Sequence, residues 1–363
     1  MDQALQRLIG QVRAARAELS SLTIGGGGSK LFYGEPVDPA VPLLDVTALA
    51  GISSYEPSEL VVTARAGTRM AELEATLAEK GQCLPFEPPR FSVASTVGGM
   101  VAAGLAGPAR AAVGGVRDYV LGATLLNGRA EVLSFGGTVM KNVAGYDVSR
   151  VLAGSMGMLG VICEVSLKVL PLAPATLTLR LELDQAQGLK RLNEWGGQPV
   201  PLNASAWWEG MLVLRLSGAV AAVRAARDKL GGDVVEAGLA AAFWLGLRDH
   251  GDEFFLGAKR AVERGAGLWR LSVPQTAPPL GLSGEQLVEW GGAQRWLCTS
   301  APAATVREAA AAMGGHATLF RALDKSGGVF TPLKAPLDRI HRDLKQAFDP
   351  DRVFNRGRLV AGL

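Results

Sequence analysis

The sequence predicts an α+β chain in two parts with a C-terminal segment, on three observations. At 363 residues the chain exceeds what one hydrophobic core usually serves, so two cores are expected. The first 170 residues or so alternate short strand-like and helix-like runs punctuated by glycine. Pro171 and Pro174 then break that rhythm, and a stretch of different texture follows. The parts are expected at residues 1–171, 172–330 (a smaller α+β unit) and 331–363, the last returning to the first part.

Met1 to Leu22 mixes apolar and charged residues at helical spacing with no unbroken apolar core, so it does not read as an export signal. A glycine-rich loop starts at Ile24, and Leu60 to Ala66 reads as a strand. Thr68 is placed to cap a helix whose Met70, Leu73 and Leu77 share one face, with Gly81 at its left-handed end. Phe91 to Ala109 carries no charge, but Ser92, Ser95, Thr96, Gly98, Gly99, Gly104, Gly107 and Pro108 make it a buried loop that approaches something closely, not a membrane span. Val161, Cys163, Val165, Leu167 and Val169 alternate with Glu164, Ser166 and Lys168, the pattern of a strand with one buried face.

In the second part, a strand is expected over Thr176 to Leu183, a hairpin about Glu209-Gly210 and a helix from Ala219 to Leu230. Six of the seven tryptophans lie between Trp207 and Trp296, where core and interface packing is expected. The final segment reads as a helix from Pro336 to Phe348-Asp349-Pro350 and a tail.

Lys plus Arg number 37 against 34 Asp plus Glu, so a net charge of +3 points to no nucleic-acid partner. From Arg321 onward there are nine Lys or Arg against five Asp, a net of +4, so the tail is the basic end. It suits an acidic partner or an anionic membrane surface as well as plain solvent. Cys83, Cys163 and Cys298 are scattered, too few for an iron–sulfur cluster and unlike a disulfide framework; the reducing cytosol is the expected compartment.

The run Ile24-Gly25-Gly26-Gly27-Gly28-Ser29-Lys30 puts several unobstructed backbone N–H groups in one turn, which can cradle a pyrophosphate without positive side chains. Alone it is equally a flexible turn. The G-x-G-x-x-G frame of a nicotinamide site fails because Lys30 or Leu31 stands at the third glycine. A later series, Gly154, Gly157 and Gly160, precedes a strand and opens no helix, so it does not supply that site either.

Pro85-Phe86-Glu87-Pro88-Pro89, Thr96-Val97-Gly98-Gly99-Met100, Val116-Arg117-Asp118-Tyr119-Val120-Leu121-Gly122 and Val139-Met140-Lys141-Asn142-Val143-Ala144-Gly145-Tyr146-Asp147 resemble the FAD-binding subunit of bacterial glycolate oxidase. Gly284-Glu285-Gln286-Leu287, Trp290-Gly291-Gly292-Ala293, Gly314-Gly315-His316-Ala317-Thr318 and Val353-Phe354-Asn355 agree, so the likeness spans essentially the whole chain. It implies a two-part FAD domain of the PCMH or vanillyl-alcohol-oxidase type, followed by a cap. Gly25 to Ser29, with Ile24, would wrap the pyrophosphate; Ser95, Thr96, Gly98 and Gly99, with Pro88, would approach the ribityl chain and ring. Gly154, Gly160, Val161 and Ile162 would line the adenine and flavin side. Gly115, Asp118, Asn142, Tyr146 and Asn355 complete the implied cofactor set. Gly25 stands where many relatives carry Arg or a polar residue, and Arg356 where proline is common. No histidine neighbours the glycine loop, so the FAD is expected to be non-covalent.

Oxidising a 2-hydroxy acid needs a base, a cation for the carboxylate and a hydride acceptor. Lys141 and His316 are the catalytic candidates, with alternatives open: Lys141 as a partner for a carboxylate, His316 as a structural residue. His250-Gly251-Asp252-Glu253 lacks the Gly-Asn-x-His continuation of the metal motif H-x-G-D-G-N-x-H, and with Arg248 and Asp249 beside it reads as a solvated loop. His341 reads as surface, and no metal site is expected. The resemblance therefore implies a divided labour: a sister FAD subunit that binds glycolate, and an iron–sulfur subunit that carries electrons to membrane quinone. The chain would then sit in the cytoplasm or peripherally on the inner face of the membrane. A self-sufficient hydroxy-acid dehydrogenase and a flavin-free structural subunit remain the alternatives.

Overall fold

A computed structural model describes residues 2–138 and 146–363. Helix α1 (Gln3–Ala17), capped by the Asp2 carboxylate, buries Leu8, Ile9, Val12 and Ala15. A short parallel pair follows, β1 (Thr23–Gly25) and β2 (Leu43–Asp45), and the glycine run leaves from the end of β1. Next come β3 (Ile52–Glu56), β4 (Val61–Arg65), α2 (Met70–Ala78), β5 (Gln82–Cys83), α3 (Val97–Ala103), α4 (Arg110–Val113), α5 (Val116–Tyr119), β6 (Val120–Leu126), β7 (Val132–Gly136), β8 (Val161–Lys168) and β9 (Leu170–Pro171). They build an antiparallel five-stranded sheet ordered β3-β4-β8-β6-β7, while β5 pairs with β9.

The central strand β8 departs from the expected single buried face. Thr124 pairs with Glu164 but Leu125 pairs with Ile162, so the register slips by one residue and Cys163 is the extra one. A one-residue slip turns side chains to the opposite face. Val165 and Leu167 accordingly join the core under α2 and α3, whereas Val161 and Cys163 join the core under α1 and the tail. A second difference concerns Thr68, expected as a helix cap. Arg69 holds the N-cap position, and the buried Thr68 hydroxyl bonds the Gly51 backbone instead. Gly81 has the positive φ expected, 65°.

The second half comprises β10 (Ala175–Glu182), α6 (Gln185–Gly196), β11 (Leu202–Trp208), β12 (Met211–Gly218), α7 (Val220–Leu230), β13 (Asp233–Val235), α8 (Ala237–Asp249), α9 (Glu253–Glu263), β14 (Gly267–Ser272), β15 (Glu285–Glu289), β16 (Gln294–Thr299), α10 (Ala303–Ala312) and β17 (His316–Arg321). Its eight strands run β13-β10-β12-β11-β15-β16-β14-β17, antiparallel throughout. Glu209 and Gly210 make the β11–β12 turn with φ of 46° and 80°, the geometry that matches strand twist.

One face of this sheet is covered by α6, α7 and α10. The other packs on α8 and α9 and, along a seam, on Tyr33, Ala103 and Leu105 of the first half. Polar ties cross the seam: Arg215 to Glu87 at 2.7 Å, Trp290 Nε1 to the Gly107 carbonyl at 3.0 Å and the Arg90 N–H to Asp249 at 2.8 Å.

After β17 the chain crosses back. Helix α11 (Leu337–Phe348) and the tail lie against the first half, where Leu22 bridges Phe354 in parallel. Among the described residues no helix is long and apolar enough to cross a membrane.

Candidate active site

The loop between β1 and β2 forms one wall of a cavity of about 380 Å³. Opposite it stand Thr96, Gly98 and Gly99 at the start of α3, Gly160 and Ile162 at the start of β8, and Asn355 from the tail. Close approach explains the small residues. A Cβ on Gly27 would overlap the Ala94 carbonyl oxygen, one on Gly26 would come within 2.6 Å of Thr96 Oγ1, and one on Gly98 within 2.6 Å of the Ala66 Cβ. The loop N–H groups of Gly26, Gly27, Gly28 and Ser29 have no protein acceptor among the described residues. Gly26, Gly27 and Ser29 are partly buried; donors of this kind call for an acceptor, and an anion supplies one.

The tail holds this loop in shape. Asn355 Oδ1 accepts the Ile24 N–H at 2.8 Å while Asn355 Nδ2 donates to the Met156 carbonyl at 2.6 Å. The Arg358 guanidinium donates to the carbonyls of Leu31, Tyr33 and Glu35. Asn355 is anchored in turn by the α11 end. There Lys345 Nζ meets Asp349 at 2.7 Å, and Asp349 also accepts the N–H groups of Val353 and Phe354, each at 2.9 Å.

Ile24, Gly25, Gly26, Gly27, Gly28, Ser29, Thr96, Gly98, Gly99, Gly160, Ile162 and Asn355 thus share one cavity, and several other candidates do not. Ser95 sits just behind the wall and bonds Lys30 Nζ at 2.9 Å. Pro88 is buried in the irregular segment between β5 and α3. The Gly115 N–H bonds Asp118 at 2.8 Å, a closed local cap of α5. Val161 is buried on the face of β8 turned to α1 and the tail. Gly154 lines a separate cavity of about 160 Å³ beneath α11, and Tyr146 is 98% exposed. Lys141 and Asn142 lie outside the described residues. The cavity also takes in Lys30, the last residue of the expected loop, and Met156 and Gly157 from the stretch Gly154 to Ile162, together with Arg358, which the sequence did not single out. Arg358 carries no local signal.

His316 opens the edge strand β17 opposite Ser272, exposed and outside the glycine cavity. His316→Ala is therefore expected to change stability by no more than about 0.5 kcal/mol and to leave cofactor affinity unaltered. Urea unfolding and a flavin titration check this, and a clear loss of affinity would show that the imidazole reaches the cofactor.

His250 corrects the sequence expectation of a solvated loop. It is 6% exposed and stacks on Phe255 with ring centroids 3.6 Å apart. Burial, with Arg321, Lys259 and Arg270 nearby, holds its imidazole well below the usual pKa, hence neutral. It belongs to an aromatic seam with Phe91, Trp296 and Phe320. Glu289, fully buried beside Trp296 Nε1 at 2.6 Å, is pushed up to about 7 by burial. A groove of about 640 Å³ between β10, β13 and α8 is larger than the glycine cavity but has none of its free N–H groups.

Fold and cavity together define a PCMH-type FAD-binding protein whose eight-stranded sheet packs along a seam against the first half. A family profile described as an FAD binding domain matches residues 5–136. The glycolate oxidase subunit GlcE of Escherichia coli (strain K12) is 46% identical over 358 residues, 99% of this chain and 98% of that protein. The chain belongs to the family of this subunit. The D-lactate dehydrogenase of Anaerostipes hadrus is 31% identical over 38% of this chain and 28% of its own length. The glycolate oxidase subunit GlcD of Bacillus subtilis (strain 168) is 29% identical over 42% and 33%. Among solved structures, an alkyldihydroxyacetonephosphate synthase shares the fold with a TM-score of 0.65 at 13% identity, covering 96% of this chain and 73% of that one. The protein is an FAD-dependent oxidoreductase, and the small-residue walls and free N–H groups fit the cofactor.

Proposed function

We propose that the chain is the FAD-binding subunit of a heteromeric glycolate dehydrogenase, which oxidises glycolate, and D-lactate as a second substrate, to the 2-oxo acid. The observation that carries this is the 46% identity to a glycolate oxidase subunit over 99% of the chain. FAD, when bound, supplies a two-electron acceptor for the hydride of the hydroxyl-bearing carbon. The chain's residues would bind and orient it: Gly26 to Ser29 would offer N–H groups to the pyrophosphate, Thr96 and Gly99 would meet the remainder of the cofactor, and Asn355 fixes the loop. We take the cofactor to be non-covalent, since no histidine adjoins the loop.

The partners we assign are a catalytic FAD subunit that takes the hydroxy acid and an iron–sulfur subunit that passes electrons to quinone, with the complex peripheral on the membrane. The missing Gly-Asn-x-His continuation after His250 supports the division, since the resemblance ties that motif to holding a hydroxy acid. We place the unit boundary at residues 171 and 172, between the five-stranded and eight-stranded sheets, and the tail unit from residue 331. The experiment is anaerobic addition of glycolate to the purified yellow chain alone and then with its partner subunits. Flavin bleaching only in the second case is expected. Bleaching of the isolated chain would overturn the division of labour.

A further inference from the structure

Two charged side chains line the glycine cavity, Lys30 and Arg358, and no acidic one does so among the described residues. Arg358 is committed to the carbonyls of Leu31, Tyr33 and Glu35. Lys30 is not. Its Nζ lies 3.2 Å from Ser29 Oγ, 2.9 Å from Ser95 Oγ and 5.5 Å from the centre of the Phe91 ring. It forms no ion pair among the described residues, and an ammonium has three protons to donate, so one is left over.

We propose that Lys30 is the counter-charge for the FAD pyrophosphate and that its proton couples cofactor capture to pH. This rests on the glycine cavity being the FAD site. A half-buried ammonium with hydroxyl neighbours and no carboxylate within ion-pair distance is incompletely satisfied, and the dianionic pyrophosphate is the ligand part whose charge answers it. The seryl hydroxyls that now accept from Nζ can rotate to donate to the same anion, so nothing need be broken on binding.

The sign of the pH effect follows from the free chain. Burial pushes Lys30 down to about 8, opposed by Asp249 at the end of α8. The other charges that face this corner are Arg69, which bonds the Ala94 carbonyl, Arg358 of the tail and Arg321 of β17, stacked on Phe32; His250 behind Phe91 is neutral. These cations add no favourable partner for the ammonium. A bound pyrophosphate raises its pKa. Lys30 is thus protonated in both states below about 8, and above that the free chain loses the proton first, so binding must restore it. FAD affinity is full on the acid side of this value and falls on the alkaline side, approaching ten-fold per pH unit.

Apoprotein titrated with FAD, followed by flavin fluorescence, tests this between about pH 7 and about pH 9.5. The wild-type dissociation constant is expected to bend upward near pH 8, with proton uptake on binding in weakly buffered solution. Lys30→Met should bind about 10- to 100-fold more weakly at neutral pH and lose the bend. Lys30→Arg should keep neutral-pH binding to within a few-fold and also lose the bend, because guanidinium stays charged. Thermal melts of the apo forms separate these effects from misfolding. Lys30→Met with the wild-type affinity and pH profile would overturn the proposal. Wild-type apoprotein that takes up no FAD at any pH would instead remove the cavity as the cofactor site, and the proposal with it.

Discussion

Gly27→Ala is expected to yield a folded chain that comes off the column nearly colourless, with FAD affinity lowered about 100-fold. The added Cβ has nowhere to go. It would overlap the Ala94 carbonyl oxygen and stand 2.9 Å from Arg69 Nη1, and Arg69 is itself bonded to that carbonyl. Relief must come from backbone, so the loop is pushed away from Ser95 and Thr96 and its row of N–H groups loses alignment. Overpacking of this kind costs about 1–3 kcal/mol, and the loop meets the cost in cofactor binding because its own core contacts are few. Gly137→Ala is the control: a Cβ there meets nothing within 4 Å, and no change in affinity or melting is expected. Flavin titration and far-UV circular dichroism decide the matter. Full affinity in Gly27→Ala would mean that the loop does not need the shape described.

Asp349→Ala is expected to lower the unfolding free energy by about 3–5 kcal/mol and to weaken FAD binding as well. Asp349 is fully buried and holds three donors, Lys345 Nζ and the N–H groups of Val353 and Phe354. Its loss leaves the Lys345 ammonium, 2% exposed, with carbonyls of Met158 and Phe354 but no counter-charge. Burial already depresses the Lys345 pKa, and the carboxylate is what opposes this. The double variant Lys345→Met, Asp349→Leu should recover much of the loss, since a matched apolar pair leaves no charge stranded. Urea unfolding of the wild type and the two variants checks this; a double variant no better than Asp349→Ala would show that the backbone N–H bonds, not the ion pair, carry the stability. The effect on FAD follows from Asn355, which lies one residue past the bonded Phe354.

Much of this architecture was legible in the sequence because it is written in local chemistry. Gly25 to Ser29 and Thr96 to Gly99 announce close backbone approach, and Glu209-Gly210 announces a hairpin. The failures have a common cause, namely groups whose partners lie far along the chain. His250 stands among Arg248, Asp249 and Asp252, so it reads as solvated. In the fold Arg248 and Asp249 are taken up by Glu74 and the Arg90 N–H of the other half, Asp252 caps α9, and a left-handed turn with φ of 55° points His250 inward. The slip in β8 likewise has no mark in its own residues, because register belongs to the pair β6–β8. Arg358 serves carbonyls more than three hundred positions earlier, a relation no spacing rule reports.

That last separation bears on how the protein is made. Ile24 hands its N–H to Asn355, and Leu22 pairs with Phe354, so the glycine loop is finished by residues translated more than three hundred positions later. A ribosome still elongating at β17 holds a nascent chain whose glycine loop lacks the carboxamide and the guanidinium that shape it. Contacts of such sequence separation form late, after the loop-closure entropy has been met by the sheets between them. On the proposed assignment of the glycine cavity, flavin capture has to wait until Asn355 and Arg358 have been translated and have docked on the loop.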